Sequence, residues 1–161
     1  MSKSLARVRA ALEAAGVAVE IREMDASTRT AEEAAAAVGC ALDQIVKSIV
    51  FQGAGSGHVK LFLTAGGNRI CESKAARLAG EPLGRADAAL VRAETGFAIG
   101  GVAPVGHLAA VPAWIDPRLD DFATVWAAAG TPRHVFAIAP AELARISGAT
   151  RADFTLRTPM P

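Results

Sequence analysis

The sequence predicts an α+β fold: a single domain with a mixed, curved β-sheet flanked by short helices. Three observations lead there. Strand-like and helix-like periodicities alternate irregularly along the 161 residues, without the regular βαβ succession of a doubly wound sheet. A glycine cluster, Gly53-Ala54-Gly55-Ser56-Gly57, joins two apolar runs as a hairpin. No repeat, linker or composition break divides the chain, so residues 1–150 read as one domain and residues 151–161 as a frayed C-terminal tail.

Taken in order, Leu5, Val8, Leu12 and Ala15 recur at helical spacing, which predicts an amphipathic helix over 4–15 stopped by Gly16. Val17, Val19 and Ile21 alternate with Glu20 and Arg22, a strand pattern over 17–24. After a polar turn, Thr30-Ala31-Glu32-Glu33 is a capping box that opens an alanine-rich helix ending at Gly39. Ile45 to Gln52 is a strand, and His58 to Thr64 is its return across the glycine turn. Cys71 to Leu78 and Ala86 to Thr95 are short helices followed by Gly80 and Gly96, with Asp87 as N-cap of the second. Phe97 to Val102 is an apolar strand broken by Gly100-Gly101, and Ala110 to Asp116 is the next strand. Ala123 to Ala129 and His134 to Ile138 are short apolar runs. Pro140 to Ser147 is the last helix, with proline in its first turn.

Composition narrows the function classes. Hydrophobic residues make up 52% of the chain, enough for a core without staples. No run approaches a membrane span, and no apolar signal core follows Met1-Ser2-Lys3-Ser4, so the expected location is cytoplasmic, away from membranes. Cys40 and Cys71 lie far apart and form neither a disulfide framework nor a Cys-x-x-Cys motif. A net charge of +1 is not the footprint of a protein that grips DNA or long RNA through many phosphates. Any RNA contact must be local or helped by a partner.

Lys47 is the most informative residue. Strand alternation puts it on one face with Ile45, Ile49 and Phe51. An ammonium on an apolar face needs a partner or a task; the structural alternatives are a snorkelling side chain or a pair with a carboxylate. The second feature is Thr95-Gly96-Phe97-Ala98-Ile99-Gly100-Gly101-Val102-Ala103-Pro104-Val105-Gly106-His107. Its glycines permit close approach to a ligand, and its N–H groups could hold a carboxyl, phosphate or ester oxygen. A bulge and tight turn with no ligand fits the same residues. His107 reads as a base, a ligand contact or a surface residue. The third feature is Ser27-Thr28-Arg29-Thr30, where hydroxyls, a guanidinium and helix N–H groups converge as for an anion or a ribose, or simply as a capped turn. There is no Gly-x-Ser-x-Gly elbow, no His-Glu-x-x-His and no metal-ligand spacing, so neither a metal nor another cofactor is expected. For a hydrolase this favours a positioned water with substrate-assisted chemistry.

These residues converge on a family. Gln44-Ile45-Val46-Lys47-Ser48-Ile49-Val50-Phe51 resembles the lysine-bearing strand of the YbaK / prolyl-tRNA-synthetase-associated domain. The stretch from Thr95 to His107 resembles its second motif, a Thr-Gly-aromatic start leading into Gly-Gly-x-x-Pro-x-Gly. Residues 26–35 and 125–132 fall in the expected order, so the resemblance runs from about Leu5 to Gly148. It implies a free-standing, trans-editing aminoacyl-tRNA deacylase that hydrolyses the ester of a mischarged tRNA, here tRNA for proline carrying a small wrong amino acid. By resemblance, Lys47 orients the terminal nucleotide and the aminoacyl group, while Gly100, Gly101, Pro104 and Gly106 form the loop that holds the ester or water. Thr28, Arg29 and His107 carry over as substrate-binding residues. The partner implied is the tRNA 3′ end, an aminoacyl-adenosine, with an aminoacyl-tRNA synthetase or elongation factor as a delivery partner. The chain departs from the cysteine-clearing type at the Thr28-Arg29 turn and at His107, which leaves the amino acid open. A non-catalytic module that binds aminoacyl-tRNA or aminoacyl-adenylate, and a small-molecule esterase, are the competing readings.

Overall fold

Amphipathic patterning and glycine stops set most of the elements. The computed structural model describes residues 2–25 and 30–156. Helix α1, Lys3–Ala14, starts where the Ser2 hydroxyl accepts from the Leu5 N–H at 3.0 Å, and it buries Leu5, Val8 and Leu12. The strand expected over 17–24 contracts to β1, Ile21–Glu23. Helix α2, Ala31–Val38, is capped by Thr30, whose hydroxyl accepts from the Glu33 N–H, and it ends at left-handed Gly39. The hairpin pairs β2, Val46–Gly53, with β3, Val59–Ala65. Helix α3 is Glu72–Ala79, β4 is Leu83–Arg85 and α4 is Ala88–Thr95, capped by Asp87 as expected. The second half supplies β5, Ala113–Ile115, β6, Val125–Ala128, β7, His134–Ile138, α5, Pro140–Ser147, and β8, Thr150–Arg151.

The predicted α+β class and mixed sheet are present. Five strands run in the order β4-β2-β3-β5-β8, antiparallel across β4-β2-β3 and parallel across β3-β5-β8. A separate antiparallel sheet, β1-β7-β6, joins it through one bridge, Ile45 to Trp126. The main core gathers Leu5, Val8 and Leu12 of α1, Leu61 and Leu63 of β3, Phe136 of β7 and Leu143 of α5. On the other face of the larger sheet, Phe62 lies between Trp114 and Phe154, with ring centroids 5.0 Å from each. No helix among the described residues is long and apolar enough to cross a membrane.

Two expectations are corrected. Residues 97–102 form no strand: Gly96 and Gly100 have φ of 82° and 94°, and the Gly101 N–H turns back to the Ala98 carbonyl at 3.0 Å. Positive φ at both points is incompatible with an extended run. Nor do residues 151–156 fray: β8 pairs with β5, Thr155 bridges Ile70, and Phe154 is fully buried. One aromatic side chain filling the sheet face outweighs the terminal position.

Away from the cleft described below, Glu81 clamps the hairpin turn. Its carboxylate accepts from the N–H groups of Ser56, at 2.7 Å, and Gly55, at 2.8 Å, and lies 3.5 Å from Lys60 Nζ. The Ser56 N–H first, then the Ser56 side chain and the Gly55 N–H, hold its pKa down from 4.5 to about 2. A depressed carboxylate stabilises the fold above its unfolded pKa and loses that contribution as pH falls through the folded value. Glu81→Gln should therefore flatten the acid limb of stability between about pH 4.5 and 2. Denaturant melts across that range check it; an unchanged limb would refute the clamp.

Candidate functional site

Strand β2 is paired on both sides only in part. β4 covers Phe51 to Gly53, and β6 meets the strand's start through the Ile45 bridge. Between them no described strand pairs with residues 47–50 on the side away from β3. A cleft of about 390 Å³ opens there. It is lined by Thr30, Ala31 and Glu32 at the start of α2, by residues 45–49, by Gly66 and Ala128, and by Ile99, Gly100 and Val102 of the glycine loop.

Lys47 is half-buried beside Ile49 on the face that β2 turns toward Phe62, whereas Ile45 leaves that face to pack on Ala31, Ala34 and Ala35. Its Nζ donates to the Asn68 carbonyl at 2.5 Å. Burial pulls its pKa below the usual 10.5, while the Glu32, Asp43 and Asp116 carboxylates oppose that and Arg69 adds to it. The neighbouring Ser48 Oγ is buried without a hydrogen-bond partner among the described residues.

What fixes the Asn68 carbonyl is a turn held from both sides. Gly66 must be glycine, because a Cβ would come within 2.1 Å of the Leu42 carbonyl oxygen. The Gly67 N–H donates to Asp43 at 2.7 Å. Asp116, only 3% exposed, accepts from Asn68 Nδ2 at 2.9 Å, from the Ala65 N–H at 3.1 Å and from the Arg118 N–H at 2.9 Å. Asn68 and Asp116 thus position the lysine's acceptor. Neither residue stands out in the sequence. Two signals were present: Gly66-Gly67-Asn68 as a turn after a strand, and Asp116 ending an apolar run just before Pro117.

The other expected site residues separate into groups. Gly100 shares the cleft with Lys47. Gly101 is buried against the Thr131 backbone, where a Cβ would sit 3.2 Å away. Gly106, at φ 80°, backs onto the carbonyl of Arg7. Arg7 clamps the loop, donating to the Gly96 carbonyl and, at 3.4 Å, to the Gly106 carbonyl, with its guanidinium 4.9 Å from the Phe97 ring centroid. Pro104, Gly106 and His107 line a different cleft, of about 340 Å³, with Ala11, Val111 and Ile146. His107 Nε2 lies 2.7 Å from the Ala103 carbonyl, its ring edge-on to Phe97, and burial lowers its pKa from 6.5. Thr28 and Arg29 lie outside the described residues.

Gly101→Val should therefore act through packing as well as through the cleft. An added isopropyl group against fixed backbone calls for strain of about 1–3 kcal/mol. A drop in melting temperature alongside lost activity is expected; an unchanged melt would contradict the contact with Thr131.

Residues 25–146 match the model of a family described as aminoacyl-tRNA editing domain. A Bacillus subtilis (strain 168) protein, YwhH, of uncharacterized function, is 32% identical over 128 residues, 80% of this chain and 81% of its own. A crystal structure described as a candidate trans-editing enzyme for prolyl tRNA synthetase is 49% identical, with a TM-score of 0.89 over 98% of this chain and 99% of its own. The structure of a hypothetical protein, APE2540, is 29% identical, with a TM-score of 0.85 over 93% and 99%.

Proposed function

The chain belongs to the aminoacyl-tRNA editing domain family, and from that premise we propose that it is a free-standing deacylase that hydrolyses the ester of mischarged tRNA. The observation that carries the reading is Lys47 Nζ, held by the Asn68 carbonyl, on a small cleft that the glycine loop also lines. In this reading Lys47 orients the terminal ribose and the aminoacyl group. The backbone around Gly100 holds the ester carbonyl or the water. Water adds to that carbonyl, the tetrahedral intermediate collapses, and the ribose oxygen leaves with a proton; a neighbouring ribose hydroxyl assists. Gly101, Pro104, Gly106 and His107 act by shaping the loop, and Thr28 and Arg29 are kept as substrate contacts.

Walls as small as Ala31, Gly66 and Ala128 favour a small amino acid, and the likeness to a candidate trans-editing enzyme for prolyl tRNA synthetase favours tRNA for proline. A synthetase or an elongation factor would deliver it, and the cytoplasm is the proposed location. The test is a panel of mischarged proline tRNAs, each offered also as a short acceptor-stem mimic over a salt series. The expected result is hydrolysis of alanyl, seryl or cysteinyl esters with the prolyl ester spared. Near-equal rates on the mimics, and a shallow salt slope, are expected for a chain of net charge +1 that reads mainly the 3′ end. Binding without turnover would favour a sensing module, and turnover of simple esters alone a small-molecule esterase.

A further inference from the structure

The cleft beside Lys47 holds charges of both signs. Among its lining residues, Lys47 and Glu32 are the charged pair; the other walls are small, apolar or hydroxyl-bearing. The two charges do not neutralise each other by contact. Lys47 Nζ is committed to the Asn68 carbonyl, and among the described residues neither side chain enters an ion pair. Glu32 is exposed in the first turn of α2, where capping falls to its neighbours: the Thr30 hydroxyl accepts from the Glu33 N–H and donates to Glu33 Oε1 at 3.0 Å. Glu32 has no hydrogen-bond partner among the described residues. Its carboxylate lines the cleft, attracting Lys47 through space but bound by contact to none of the described residues.

An aminoacyl ester brings a matching set of groups. Its carbonyl and ribose hydroxyls want donors, its side chain wants a small apolar wall, and its α-ammonium wants an anionic acceptor. Without Glu32, that ammonium would enter a cleft already occupied by the like charge of Lys47. The Thr30 hydroxyl is engaged, and the orphaned Ser48 hydroxyl is neutral.

We propose that Glu32 receives the α-ammonium of the aminoacyl group, which makes cleavage favour esters with a free α-amine over those that lack it. The proposal rests on the deacylase reading. It makes Glu32 a specificity residue for a part of the substrate common to all unblocked aminoacyl-tRNAs, leaving choice among amino acids to the cleft walls.

The experiment compares alanyl-tRNA for proline with the lactyl-tRNA made from it by nitrous acid, in which a hydroxyl replaces the amine at nearly constant size. The same pair is made for any other amino acid the panel shows to be cleaved. Each enzymatic rate is divided by the spontaneous rate, because the ammonium itself activates the ester. The parent protein should favour the amino ester at least about tenfold, the scale of a charge-assisted hydrogen bond. Glu32→Gln should bring the two within about threefold, chiefly by slowing the amino ester, with Glu32→Asp in between. A thermal melt should show both variants folded, since the side chain is exposed. A merely structural Glu32 would move both esters together. If the parent shows no preference, or Glu32→Gln keeps the parent's preference, the assignment is overturned while deacylation stands. If the parent cleaves no ester of the panel, the deacylase reading falls first and takes the assignment with it.

Discussion

Lys47→Ala is expected to fold like the parent and to deacylate mischarged tRNA at least about 100-fold more slowly. The size of the loss follows from the role proposed for the side chain. Half-buried and bonded to the Asn68 carbonyl, its Nζ is placed before substrate arrives. A group that sets the attack geometry costs far more when lost than the hydrogen bond it makes, because a misplacement of about 1 Å already slows reaction about 100-fold. Stability should change little. Lys47 sits at the cleft, outside the buried clusters, and the freed Asn68 carbonyl can turn to water. Lys47→Arg should not restore the rate: a planar fork with rigid donors does not replace a compact ammonium at one carbonyl. Single-turnover deacylation with a thermal melt decides the matter. Parent-like rates in a folded Lys47→Ala protein would remove the lysine from the mechanism.

The elements that were legible in the sequence are those specified locally. Helices α1, α2, α4 and α5 follow a 3.6-residue apolar spacing with a cap or proline at the start, and left-handed glycines close α2, α3, α4 and α5. The β2–β3 hairpin follows from its glycine turn. Elements that depend on distant packing were not legible. Phe97 reads as strand because apolar runs look alike, yet its backbone is bent by flanking glycines and its ring is buried under the Arg7 guanidinium. Residues 151–156 read as tail because the end of a two-residue strand and one phenylalanine carry no periodicity; only the sheet face around Phe62 gives them a place. The site divides in the same way. Lys47 stood out as a charge in an apolar strand, and Gly100 as a glycine in a loop motif. Asn68 and Asp116 did not, because a hydrogen-bonding hub whose members lie 48 and 51 positions apart leaves no local pattern. Gly101 and Gly106 were legible as places where backbone approaches something closely, but not as to what. For both, the neighbour is the protein's own backbone.

Asp116→Ala should lower stability by about 3 kcal/mol and slow deacylation in the fraction that stays folded. The carboxylate is 3% exposed and satisfies the Ala65 N–H, Asn68 Nδ2 and the Arg118 N–H at once. Each buried donor left unpaired costs about 1–3 kcal/mol. The full sum will not appear, because Asn68 is partly exposed and can find water. For a domain of this length, about 3 kcal/mol corresponds to a fall of roughly 6–12 °C in melting temperature. The effect on rate has a separate cause. With Asp116 gone, the turn loses its anchor, and with it the carbonyl that holds Lys47 Nζ. Asp116→Asn separates the two effects. It keeps size and one acceptor oxygen but presents an amide N–H₂ where a second acceptor stood. It should therefore fold better than Asp116→Ala and still deacylate more slowly than the parent, at a temperature where melts show all three proteins intact. A folded Asp116→Asn protein with the parent's rate would confine Asp116 to stability. A parent-like melt for Asp116→Ala would contradict the hub itself.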